Sequence, residues 1–119
     1  MMTLKEIIND TDLVNNIDWE MTPEEAVRLY LEWGNNWARG NYVIRSKDDV
    51  SHYFVANTWG ETPVIYLIRR NSEEAVELAR IDIPPAQVPG FLDSVGHNKG
   101  VWAVEGDLRD WLKNELEAA

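Results

Sequence analysis

The side chains of this 119-residue chain best able to do chemistry are two histidines, His52 and His97, and twenty-one carboxylates; there is no cysteine. Without thiols, thiol catalysis, zinc–thiolate sites and iron–sulfur clusters are excluded, and the composition fits a reducing compartment. A Ser-His-Asp triad would need one of the two histidines and a serine, and no Gly-x-Ser-x-Gly elbow marks such a serine. His52 falls in a strand pattern and reads as packed or half-exposed. His97 lies in the glycine-flanked loop Gly96-His-Asn-Lys-Gly100, a setting in which function is more common. That loop lacks the Gly-Lys-Ser/Thr ending that places a lysine and a hydroxyl on phosphates and magnesium, so it reads as a helix-ending glycine followed by a turn glycine.

Metal chemistry finds no better footing. The two histidines are too far apart in sequence to form a helical pair. Asp10-Thr-Asp12 and Asp48-Asp49 do not continue into the oxygen ligands, glycine and final glutamate of an EF-hand loop; they read as a helix face and a turn. No carboxylate pair is marked out for glycoside hydrolysis. The sequence assigns no catalytic residue, no cofactor and no metal site, and the reading leans away from an enzyme. A ligand-binding or catalytic pocket around His97, Asn98 and Lys99 is kept as an alternative; it requires a concave site with a perturbed titratable group.

The six tryptophans are a stronger lead. Trp111 lies on the apolar face of a helical pattern and Trp102 in an apolar run, so both read as core. Trp19, Trp33, Trp37 and Trp59 fall at element ends or loops. There an indole either closes a core, with its N–H on a backbone carbonyl, or stands exposed as an interface anchor. Trp33, Trp37 and Arg39 cluster around glycines, and Trp59 precedes a tight turn. With Arg69 and Arg70 they form the candidate interaction surface; joined by Arg45, they could line a groove only if folding brings them together.

The elements that must position these side chains are legible. HYFVANTW, PVIYLIRR and AVELARIDI, within residues 51–83, are short β-rich runs divided by the turn signals Gly60-Glu61-Thr62-Pro63 and Asn71-Ser72-Glu73-Glu74. They predict an antiparallel meander. Val64 to Ile68 is apolar at every position, as in a strand covered on both faces, which predicts a central strand with Arg69-Arg70 emerging into solvent. Before the meander, Thr3-Leu-Lys-Glu6 fits a capping box opening a helix that ends near Asn15-Asn16. Thr22-Pro-Glu-Glu25 opens a second helix, with Ala26, Val27, Tyr30 and Leu31 inward and Gly34 as its stop. Asn41 to Arg45 is a possible first strand, and residues 46–49 form the turn after it.

After the sheet, Ile83-Pro-Pro ends the last meander strand. Val88, Phe91, Leu92 and Val95 have helical spacing, with a start near Pro89 and Gly96 as the C-terminal cap. Val101 to Val104 reads as a short edge strand. Asp107 caps a last helix with Leu108, Trp111, Leu112 and Leu116 inward. The fold class is α+β: a small antiparallel meander sheet of three to five strands, two helices before it and two after it, in a single domain spanning residues 1–119.

The formal charge is −10. Residues 1–38 carry two basic and eight acidic groups, residues 39–80 six of each, and residues 81–119 three basic and seven acidic. The acidity thus sits on the helical ends, where it keeps the protein soluble or docks a basic partner. Nonspecific binding to duplex DNA, which needs clustered lysine and arginine, is disfavoured. The opening MMTLKEIIND lacks a signal-peptide apolar run, and no segment is apolar for the length of a membrane span. The expectation is a soluble cytoplasmic protein without membrane contact.

Taken whole, the chain resembles an uncharacterised family of small bacterial proteins known from anaerobic, sulfate-reducing lineages. The resemblance covers most of the chain, rests on no catalytic motif and implies no activity. Locally, Pro63–Arg70 and Ala75–Ile83 running into the helix that ends at Val95 is similar in layout to the single-stranded-DNA-binding coactivator family (PC4-like). That resemblance implies strand binding in a basic, aromatic groove; the neutral sheet and acidic chain depart from it, and no site residue is carried over.

Three functions follow as expectations. The first is a non-enzymatic protein-interaction module whose partner is another protein or a second copy. The second is single-stranded nucleic-acid binding on the sheet face, which requires Arg45, Arg69, Arg70 and Arg80 to share a surface with Trp59 or Tyr66. The third is the pocket near His97.

Overall fold

The structure, a computed structural model, describes residues 1–19, 51–70 and 75–117. The predicted helix from Thr22, the predicted strand from Asn41, the turns at residues 46–49 and 71–74, and Trp33, Trp37, Arg39 and Arg45 lie outside the described residues. Among those described, the order is α1 (Leu4–Ile8), α2 (Thr11–Asn15), β1 (Ser51–Asn57), β2 (Val64–Arg70), β3 (Ala75–Asp82), α3 (Val88–Ser94), β4 (Val101–Ala103) and α4 (Gly106–Glu117). This is the expected α+β arrangement around an antiparallel sheet.

The capping box forms as the sequence predicts. Thr3 Oγ1 accepts from Glu6 N–H at 3.3 Å, and Glu6 Oε1 accepts from Thr3 N–H at 3.3 Å. The single helix expected up to Asn15-Asn16 is instead two. Asp10 leaves the helical region (φ −102°, ψ 86°), and its side chain accepts from Leu13 N–H at 3.1 Å. An aspartate at that position satisfies a helix start better than a helix interior. The chain therefore breaks there and restarts.

Strand order is β3-β2-β1-β4, all neighbours antiparallel. The meander accounts for β1 to β3, and β4 returns to pair with the free side of β1. The register puts Phe54 opposite Leu67, Ala56 opposite Ile65, Leu67 opposite Ala79 and Ile65 opposite Ile81, so these residues share one face. They join Ile7, Ile17, Leu108, Leu112 and Leu116 in one core. On the other face Tyr53, Val55, Val64 and Ile68 are buried too. The all-apolar run of β2 is thus covered on both sides, as expected. Between Leu67 and Ile68 the pairing shifts past Leu78, a bulge that turns Leu78 toward the core.

Both β3 and β1 are tied to the amino-terminal segment. Met2 N–H donates to Leu78 O at 2.8 Å and Arg80 N–H to Met2 O at 3.3 Å, which covers the middle of the outer edge of β3. Asp18 N–H donates to His52 O at 2.8 Å. Trp19 then stacks at 5.5 Å on Phe54, with the Arg109 guanidinium 5.8 Å and the Lys113 ammonium 5.7 Å from its ring. Arg109 Nη2 also donates to Trp19 O at 3.0 Å. The α4 cations hold an indole that would otherwise end the core edge.

Helix α4 starts at Gly106, so Asp107 sits in its first turn rather than at the cap. There it still complements the helix dipole. Leu108, Leu112 and Leu116 are buried and Trp111 packs half-buried against them. Helix α3 starts at Val88 with Pro89 in its first turn. It ends as expected at Gly96, whose φ of 65° lies in the left-handed region. His97 N–H reaches Leu92 O at 2.9 Å and Gly96 N–H reaches Asp93 O at 3.1 Å, a Schellman closure. Gly96→Ala is expected to cost about 1 kcal/mol, because an L side chain disfavours that conformation. Urea denaturation checks this; a loss below a few tenths of that would show the turn can be rebuilt without glycine. Among the described residues no helix is long and apolar enough to cross a membrane.

Candidate functional site

The Gly96–Gly100 loop and the turn after β1 are locked together by one side chain. Thr58 is buried, and its hydroxyl donates to Asn98 O at 2.8 Å. The same oxygen accepts from Gly100 N–H at 2.9 Å and from the indole Nε1–H of Trp102 at 3.0 Å. Thr58 N–H donates to Gly100 O at 2.9 Å, and Lys99 Nζ reaches Gly60 O at 3.4 Å. Gly100 lies against the indole: a Cβ there would come within 3.3 Å of the Trp102 ring. Trp102, expected in the core, is instead half-buried on β4 with its N–H in this latch.

The latch presents two features. The first is Trp59, 65% exposed, next to Thr58 in the turn. The second is a groove of about 510 Å³ on the outer side of β4. Trp102 and Ala103 form one wall, Gln87, Phe91 and Val95 of the α3 region the other, and Glu105 to Leu108 close it at the start of α4. A volume of this size falls in the usual range for binding clefts. Its charged lining residues are Glu105 and Asp107, both acidic.

The predicted surface divides on this frame. Trp59 is exposed as an interface anchor should be. Arg69 and Arg70 sit at the far end of β2, opposite His52 and Ser51, while the strand's other end, Val64, pairs with Asn57 near Trp59. A strand of this length separates the two by roughly 20 Å. Arg70, expected in solvent, is buried. It lies in an interior strand between the paired ends of β1 and β3, where a long side chain lies along the covered face instead of leaving it.

The arginines named for nucleic-acid binding are divided between the two faces of the sheet. Tyr66 and Arg80 are cross-strand partners and Arg70, buried, lies on their face, but Arg69 is on the opposite one; Arg80 Nε lies 4.0 Å from Asp82 Oδ1, and Arg45 is outside the described residues. The pocket expected at His97, Asn98 and Lys99 is an exposed turn, and none of the three lines the groove. His97 has a φ of 55°, and its Nε2 lies 2.7 Å from Asp93 Oδ1, one helical turn back. That contact belongs to the end of α3.

Two buried groups carry shifted titrations. Burial pushes the Tyr53 phenol up to about 12, against the opposing pull of the nearby Arg70 charge. Its hydroxyl has no hydrogen-bond partner among the described residues. His52, half-buried as expected, is lowered by burial and then by the Arg69 charge. A lowered histidine contributes fully while it is neutral in both folded and unfolded states, above about pH 6.5. Its contribution is lost as pH falls from there through the folded-state value. Stability is therefore expected to fall as pH drops below about 6.5, and His52→Gln to flatten that slope in urea melts. An unchanged slope in the variant would assign the acid sensitivity elsewhere.

The residues that build this site and escaped sequence reasoning are Thr58, Gln87, Phe91, Glu105 and Asp107. The only sequence-level signal was their neighbours: Thr58 precedes an out-of-place tryptophan, and Glu105 and Asp107 flank Gly106, the glycine that opens α4. No family model, curated protein or solved structure matches the chain.

Proposed function

We propose that this is a non-enzymatic cytoplasmic protein-interaction module that uses the β4 end of its sheet as its contact surface. The observation that carries the reading is Trp59. A large indole that is 65% exposed stands beside a threonine only 5% exposed and bonded to the neighbouring loop. The turn is tied down at its base, so little conformational freedom remains to be lost when the indole is buried by a partner. Interfaces enrich tryptophan at such positions and exclude it from ordinary surface.

The test replaces Trp59 with a photoreactive phenylalanine analogue in producing cells, with a second site on the exposed face of α4, at Asn114, as control. A discrete adduct from position 59 that is absent from position 114 is the expected outcome. Size exclusion with light scattering, on the wild type and Trp59→Ala, then separates a second copy from a different protein. A monomer that gives no specific adduct at position 59 would overturn the reading.

A further inference from the structure

We propose that the groove beside β4 takes an extended, cationic segment of another protein, which adds to the sheet as a further strand on the outer edge of β4. This rests on the interaction reading and names the chemistry of the partner; it does not involve Trp59.

The register sets which backbone groups are free. Thr58 N–H bonds to Gly100 O, and Thr58 stands opposite Gly100, one position beyond the Asn57–Val101 pair. Hydrogen-bonded and non-hydrogen-bonded pairs alternate along an antiparallel ladder, so Ala56–Trp102 is a bonded pair while Asn57–Val101 and Val55–Ala103 are not. Val101 and Ala103 therefore turn their N–H and C=O groups away from β1, two residues apart, at the repeat a new strand requires. No described residue bonds to them there. On the opposite edge of the sheet, Met2 covers the middle of β3 at Leu78 and Arg80. Among the described residues, the β4 edge is open for strand addition and borders a groove.

The groove supplies the rest of the recognition. Phe91, Val95 and Leu108 offer apolar contact to alternate side chains of an extended segment. The charges on its lining are the Glu105 and Asp107 carboxylates, with no lysine or arginine among the lining residues. An acidic segment or a nucleic-acid strand would meet repulsion. So would a second copy of a chain whose net charge is −10. A segment alternating apolar and basic residues matches both the groove and the carboxylates at its end.

The probe is a short fluorescein-labelled peptide alternating valine with lysine, titrated into the full chain by anisotropy at low salt. Three comparisons accompany it: the same peptide with glutamate for lysine, the lysine peptide with alternate amides N-methylated, and the protein variant Ala103→Pro. The proline removes one outward N–H, and because Ala103–Val55 is a non-bonded pair it leaves the β1 ladder intact. Each change is expected to weaken binding by at least about tenfold, as loss of backbone rungs or of charge complementarity should. Saturation with the lysine peptide is expected to slow amide exchange at Val101 and Ala103. Absence of binding by the lysine peptide overturns the proposal. So does binding that the N-methylated peptide reproduces in full, since that is adsorption to an acidic surface. If Ala103→Pro fails to fold, the N-methylated peptide decides alone. A specific adduct from position 59 together with no peptide binding would leave the interaction reading standing and remove this site.

Discussion

Replacing Thr58 with valine is expected to destabilise the protein by roughly 2 kcal/mol and to release β4. Valine keeps the shape of threonine and removes only the hydroxyl. That hydroxyl is the partner of the Asn98 carbonyl, the Gly100 N–H and the Trp102 indole N–H. Removing one member of a buried polar cluster leaves its partners desolvated and unpaired, which costs more than the bond itself contributed. Gly100 and Trp102 are only half-buried, so water recovers part of the loss and the three contacts do not simply add. Thr58→Ser keeps the oxygen and is expected to recover most of the stability. Denaturation of both variants, with tryptophan emission followed in parallel, separates hydroxyl from methyl: a red shift in valine but not serine places the effect at Trp102. Equal losses in the two variants would mean that the methyl packing, not the latch, matters.

Leu112→Ala is expected to cost about 3 kcal/mol, the middle of the range for emptying a fully buried leucine site. Leu112 has no exposed surface and stands at the centre of the Leu108, Leu112 and Leu116 stripe by which α4 joins the core. The deleted methyls belong to the same core as Ile7 and the sheet residues Phe54, Ile65 and Leu67. Collapse to refill the gap is opposed because α4 is also pinned through Arg109 and Lys113 to Trp19. Leu112→Met, which conserves volume, is expected to cost less than about 1.5 kcal/mol. Urea melts of the pair check both values. A loss under about 1 kcal/mol for alanine would place α4 outside the cooperative core. Since α4 supplies the Gly106 to Leu108 part of the groove lining, the alanine variant is also expected to weaken binding of the lysine peptide through the wall rather than through any contact of its own.

Local patterns read well where one residue answers to its near neighbours. The capping box at Thr3, the glycine closure at Gly96 and the strands on either side of Gly60 all depend on atoms a few positions apart. The break at Asp10 is an exception: Asp10 and Asp12 read in the sequence as a helix face, yet the Asp10 carboxylate takes the Leu13 N–H and starts a new helix. The far-end placement of Arg69 and Arg70 was not legible. Charge at a strand terminus predicts exposure only if that terminus is at the surface, and β2 proved to be flanked by β1 and β3 along its whole length.

The candidate site divides in the same way. Trp59 could be picked out because a large indole before a tight turn has few places to hide. The groove could not, because its walls come from α3, β4 and α4 and exist only where β4 pairs with β1 on the side the meander leaves free. Thr58 bonds to residues some forty positions away. In its own neighbourhood only the tryptophan after it hints at a role.

What the sequence by itself determined is therefore the menu of elements, the α+β class, the absence of thiol chemistry and the acidic balance, since these follow from composition, short-range periodicity and capping. The tertiary structure alone decided which strand edge stays open, which arginine is buried and which backbone groups face the groove. Those depend on pairing register and strand order, long-range choices made by burial of the whole apolar set at once, and no local run of residues encodes them.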